Sequence, residues 1–159
     1  MKIPFDIALW LQFNLYLTTL DGYSPDSFLY GKEINNNSMA SRWQLVVDTI
    51  YRCLTCELIY ICNRICLNVE DVKNKSWLIN GLAYHEPFGD DFFENGITYW
   101  IGPLLCSTER CESLIDKYDI KKFEGNTVCR PFIDEIELIF ERHGVGWSEN
   151  PLIPIKQQA

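Results

Sequence analysis

The sequence predicts a mainly α-helical fold, a compact bundle around a long central helix, and three observations carry that prediction. Apolar residues recur at steps of three and four from Trp43 to Ile65, the spacing of one helix face. Turn and capping residues such as Asp21-Gly22, Ser24-Pro25 and Asn35-Asn36-Asn37-Ser38 cut the chain into helix-length segments. Ile97–Ile101 mixes β-branched and aromatic residues between Gly96 and Gly102-Pro103, so a small β element is expected near residues 97–101. No repeat or low-complexity tract divides the 159 residues, which read as a single domain. A chain of this length buries ~70% of the surface its unfolded form exposes, enough for a core without a staple or metal.

The elements follow in order. Pro4 and Asp6 open the first helix, with Asp6 as the expected N-cap, and Trp10, Phe13, Leu17 and Leu20 continue it at helical spacing. Other faces of that segment are apolar too, which predicts a largely buried helix. Trp43, Val47, Ile50, Leu54, Leu58, Ile61 and Ile65 form the stripe of the second and longest helix. Asn68 is the expected cap of the third, with Glu70 and Asp71 near its start, Val72, Ile79 and Ala83 facing inward, and Gly81 ending or loosening it. Ser107 or Thr108 caps a helix running to about Tyr118. Pro131 suits the first turn of the last helix, whose stripe is Phe132, Ile136, Ile139, Phe140 and His143, and Gly144 stops it.

Composition narrows the function classes. A formal net charge of −8 repels phosphate backbones and anionic membranes, so neither nucleic acid nor membrane is an expected partner. A basic protein is attracted. Ile7–Leu20 is apolar but carries Gln12 and Asn14, lacks a small-residue cleavage site and is too short to span a bilayer, so it reads as a buried helix. Seven cysteines, an odd number without a secretory signal, predict reduced thiols and a cytoplasmic location.

No catalytic or metal motif is expected, and no cofactor is implied. Cys53-x-x-Cys56 and Cys62-x-x-x-Cys66 resemble a metal pattern, but on one straight helix the two pairs face roughly opposite sides and cannot converge on a tetrahedral zinc. His143 lies on the stripe of the last helix. His85 sits beside Glu86 in a loop, where Cys106 or Cys111 paired with it would make a small cysteine-dependent enzyme the alternative reading. A self-associating helical adaptor built on the long helix is the other alternative; it needs that helix's stripe to be exposed.

What remains is surface. The loop from His85 to Gly96 places Glu86, Asp90, Asp91 and Glu94 among Phe88, Phe92 and Phe93. Acids speed encounter with a cationic partner, and aromatics anchor the bound state. Asp134, Glu137 and Glu141 share one face of the last helix opposite its stripe and form a second acidic candidate. Glu109, Glu112 and Asp116 form a third.

Gly96–Leu104, followed by Ser107–Tyr118, together with the aromatic-rich N-terminal half, resembles bacterial immunity proteins paired with toxins of contact-dependent growth inhibition. That resemblance is one of general character over the whole chain. It implies a single cognate toxin as partner, a basic protein and often a nuclease, tRNA-directed ones included. The immunity protein would occlude the toxin's active site or substrate surface. An acidic inhibitor would imitate the phosphates such a nuclease grips.

Overall fold

A helix with apolar side chains on all sides needs cover on most of them, and the first helix organises the chain around that demand. The computed structural model describes residues 2–62 and 74–156. Among them are six α-helices: α1 Phe5–Leu20, α2 Met39–Thr55, α3 Lys75–Tyr84, α4 Ile97–Trp100, α5 Glu109–Lys117 and α6 Arg130–Arg142. The strands β1, Ile59–Cys62, and β2, Leu104–Ser107, pair antiparallel with Ile59 opposite Ser107 and Cys62 opposite Leu104. The fold is mainly α, as expected.

Local chemistry accounts for most boundaries. Pro4, not Asp6, occupies the α1 N-cap, and Asp6 lies in the first turn. Ser38 caps α2 by accepting from the Ser41 amide at 3.1 Å. Asn74 caps α3 by accepting from the amides of Ser76 and Trp77; the expected cap Asn68 lies outside the described residues. Thr108 caps α5 through the Cys111 amide, and Gly144, at φ 73°, closes α6 in the left-handed region.

Two expectations are corrected. The helix of Trp43 ends at Thr55, well before Ile65, which lies outside the described residues. Leu58 N donates to Cys53 O and Glu57 N to Leu54 O, the paired hydrogen bonds of a Schellman stop. Glu57 takes the left-handed position usually given to glycine, at φ 55°, so no glycine marks the break. Beyond it Leu58 lies in the turn and Ile61 in β1. The second correction is Ile97–Ile101: Ile97–Trp100 is a helical turn. Packing overrides its β-branched content, because Trp100 Nε1 reaches the His85 carbonyl at 2.7 Å and Tyr99 lies against Trp77. The strand starts four residues after Trp100, at Leu104.

Buried tryptophans join the layers. Trp10 Nε1 ties α1 to the Phe28 carbonyl at 3.0 Å, and Trp43 Nε1 ties α2 to Leu82 of α3 at 2.7 Å. In each case the ring fills the core while the N–H meets a carbonyl that would otherwise stay unpaired. Trp43, Val47 and Ile50 are buried, so the stripe of α2 is covered.

The segment after α6 is strapped to α2 by three polar residues spaced one turn apart, of which Gln44 donates to Ile153 O at 2.8 Å and accepts from Ile155 N at 3.3 Å. Buried Arg52 donates to the carbonyls of Val145 and Gly146 at 2.8 and 3.1 Å, with its guanidinium 5.0 Å from the Trp147 ring centroid. Asp48 accepts from the amides of Leu152 and Ile153 and from Gln44. Burial raises the Asp48 pKa, opposed by those amides and by Arg52. Arg52→Ala is expected to cost about 2–5 kcal/mol in chemical denaturation, because the carbonyls of Val145 and Gly146 lose their donor together. Proteolysis within Trp147–Lys156 should quicken. A variant within about 0.5 kcal/mol of wild type, the range of ordinary surface changes, would show that the strap carries no stability.

Candidate partner-binding site

The segment that joins α3 to α4 is built from a turn and a π-helical turn. Gly89 N bonds Glu86 O and Phe92 N bonds Gly89 O, and Phe92–Gly96 then closes with Gly96 N on Asp91 O at 3.2 Å. Phe88 sits in the left-handed region at φ 59°, which is uncommon for a bulky residue and persists only where the surroundings hold it. His85 is one of those holds. Its Nδ1 lies 2.6 Å from Asp91 Oδ2, its ring stacks on Tyr99 at 5.2 Å, and its carbonyl takes the Trp100 indole.

The three phenylalanines divide. Phe92 is 1% exposed and belongs to the core, contrary to its expected place on the surface, whereas Phe93 is 81% exposed. Phe88 is exposed as well, its ring tilted against Phe92 at 4.6 Å and 6.5 Å from the exposed ring of Tyr30. The result is an aromatic ridge, Tyr30–Phe88–Phe93, rooted through Phe92. Asp90 and Glu94 are exposed beside it, and Glu86 and Asp91 are half-buried. Between Lys75 and Arg110 the chain has no Lys or Arg at all. A cation, Lys156 at the end of the strapped segment, packs at the C-terminal end of α3. Its amide bonds Ala83 O, and its Nζ lies 3.8 Å over the Tyr84 ring.

The second acidic candidate is assembled differently from its expectation. Glu137 is buried, not solvated: it accepts from the Ile3 amide at 2.7 Å and from Arg130 at 3.1 Å. A long-range contact with the start of the chain makes that carboxylate structural. Asp134 is exposed but paired with Arg130 at 3.2 Å, and Glu141 is exposed. Asp134 and Glu135 also border a groove of about 650 Å³ between α5 and α6 whose walls include Arg110, Lys117 and Arg142. Charge there is mixed. Glu109, Glu112 and Asp116 are exposed on α5.

The buried cysteines give no reactive centre among the described residues. Cys62 and Cys106 form a disulfide across the paired strands, with Cα atoms 6.5 Å apart, which replaces the expectation of reduced thiols at those two positions. Cys111 is buried, and burial followed by Glu112 pushes its thiol up to about 12. Burial raises Cys56 to about 11 and Cys53 well above its ordinary value. These placements remove both cysteines from the expected pair with His85, whose Nδ1 is already taken by Asp91. Among the described residues no group of three or more His, Cys, Asp or Glu is placed to hold a metal ion, and no helix is long and apolar enough to cross a membrane. No protein-family model, curated protein or solved structure matches the chain.

Two outcomes check this geometry. A Cβ on Gly81 would lie 2.0 Å from Tyr99 Cδ1, and that ring is wedged between Trp77 and His85. Helix propensity favours Gly81→Ala by about 1 kcal/mol, but overpacking of about 1–3 kcal/mol opposes it and should win. Thermal denaturation is expected to show a lower Tm; an unchanged or higher Tm would refute the close packing. Second, Cys53, Cys56 and Cys111 should resist a thiol-specific reagent in the folded chain and react on unfolding. Rapid native labelling of Cys111 would contradict its burial.

Proposed function

We propose that the chain is an immunity-type binding protein that neutralises a cognate basic toxin by covering its active-site or substrate-binding surface. The reading takes a nuclease, tRNA-directed ones included, as the toxin class, since enzymes that grip phosphates display the positive charge an acidic loop complements. The observation that carries it is the His85–Gly96 loop, where Phe88 and Phe93 stand exposed among four acids and the loop itself has no cation. Docking there buries Phe93, worth about 1.5–3 kcal/mol for a fully covered side chain, and the acids raise the encounter rate. Glu86, Phe88, Asp90, Asp91, Phe93 and Glu94 are the contact residues of this reading, with Phe92 supporting them from below. Asp134 borders the mixed groove instead, Glu141 is exposed on α6, and Glu137 is committed to the fold.

The test is binding to the protein encoded beside this chain's gene. A one-to-one complex is expected, with an association rate that falls as salt rises. Phe93→Ala should weaken it by about 10- to 100-fold, the affinity equivalent of the burial energy above. Asp90→Lys should act mainly on the association rate. No complex, or one whose formation ignores both salt and Phe93, would defeat the proposal.

A further inference from the structure

The two-stranded sheet carries the only cysteines of the described residues that lie outside the core. Cys53, Cys56, Cys111 and Cys129 are buried, whereas Cys62 and Cys106 are half-buried. The register explains the difference. Tyr60 stands opposite Cys106 and Cys62 opposite Leu104, and side chains alternate between faces along a strand. Ile59, Leu105 and Ser107 therefore share the buried face. Tyr60, Cys62 and Cys106 share the other, on which Tyr60 is 51% exposed. Cys62 and Cys106 are diagonal neighbours there, with Cα atoms 6.5 Å apart, within the span a disulfide bridges. The bond does not create the pairing. Thr108 N donates to Leu58 O at 3.1 Å, Tyr23 and Leu105 exchange amide-to-carbonyl bonds at 3.0 and 2.8 Å, and Ile59 and Leu105 are buried.

We propose that Cys62–Cys106 is a reversible redox site, a thiol–disulfide couple on the outer face of the sheet whose state sets the stability of the fold. The two residues are 44 apart in sequence, and the ring they close contains α3, the acidic loop and α4. Opening the bond leaves the native strands paired but frees the unfolded chain from that ring, so the reduced form is folded and less stable. The exchange partner is a low-molecular-weight thiol or its disulfide. A thiolate attacks one sulfur of the pair, the S–S bond breaks, and the other cysteine leaves as a thiolate. A second small thiol then displaces the first from the mixed disulfide. Two electrons pass from the small thiols to the protein, which gains two cysteine thiols while one small-molecule disulfide forms. Glutathione disulfide reverses both steps. Burial withholds the other four described thiols from the same exchange.

The full chain oxidised with glutathione disulfide is to be compared with the same chain in dithiothreitol, without any toxin. Peptide mapping of the oxidised form is expected to join Cys62 to Cys106. Dithiothreitol should open that bond under native conditions, with circular dichroism unchanged. Tm should then fall by about 5–15 °C, the shift for a ring of about 45 residues in a chain of this size. Cys62→Ser and Cys106→Ser should each have the Tm of reduced wild type, and neither should respond to dithiothreitol. A map that joins Cys66 to either residue overturns the proposal. So does a bond that dithiothreitol reaches only in denaturant, a reduced chain that loses its helical signal, or an equal Tm in both redox states.

Discussion

One buried guanidinium sets the path of the chain as it leaves α6. Arg52 emerges from α2 into the core and gives two of its hydrogen bonds to the carbonyls of Val145 and Gly146, just past the end of α6. Burying a charge is costly unless it is paired and hydrogen-bonded. Asp48, one turn earlier, supplies the opposite charge and takes the amides of Leu152 and Ile153. With Gln44, which bonds Ile153 O and Ile155 N, the two fix an extended segment that is itself neither helix nor strand. That segment ends with Lys156 bonded to Ala83 and lying over Tyr84, at the root of the acidic loop. Burial inside α2 is thus transmitted to the edge of the candidate site.

Helical period was legible because it depends on near neighbours. α1, α2, α5 and α6 start within a few residues of where their caps and stripes put them. What could not be read was the break at Thr55. The stripe Leu54, Leu58, Ile61 fits a continuing helix as well as a turn into a buried strand, since short apolar runs fit either period. A glycine would have marked the stop, but Glu57 occupies that position. The same ambiguity misplaced the β element. Ile97–Trp100 has strand-like composition, yet Trp100 and Tyr99 find their partners in His85, Trp77 and the gap over Gly81 only as a helical turn.

At the site, composition showed that acids and aromatics share the loop, but not which ring points where. Phe92 and Phe93 are adjacent, and a π-helical turn buries one and presents the other. No local pattern announces that turn. Glu137 illustrates the converse limit. Its spacing from Asp134 and Glu141 suggests a solvated face, and only the distant Ile3 amide explains why it is buried. Pairing of residues 134 apart lies beyond any periodicity.

The segregation of charge gives the fold two surfaces of different character. The stretch from Ser76 to Glu109 carries acids without a Lys or Arg, and cations gather with acids around the α5–α6 groove. A protein made acidic only for solubility has no reason to concentrate exposed rings within its most one-sided acidic loop. Rigidity points the same way. The Phe88 backbone sits where bulky residues rarely go, and His85, Asp91, Tyr99 and Gly81 hold the surrounding turn. A loop ordered in advance gives up less entropy when a partner arrives. The strained Phe88 backbone costs the free chain of order 1–3 kcal/mol, so its persistence at an exposed position is better matched to recognition than to folding.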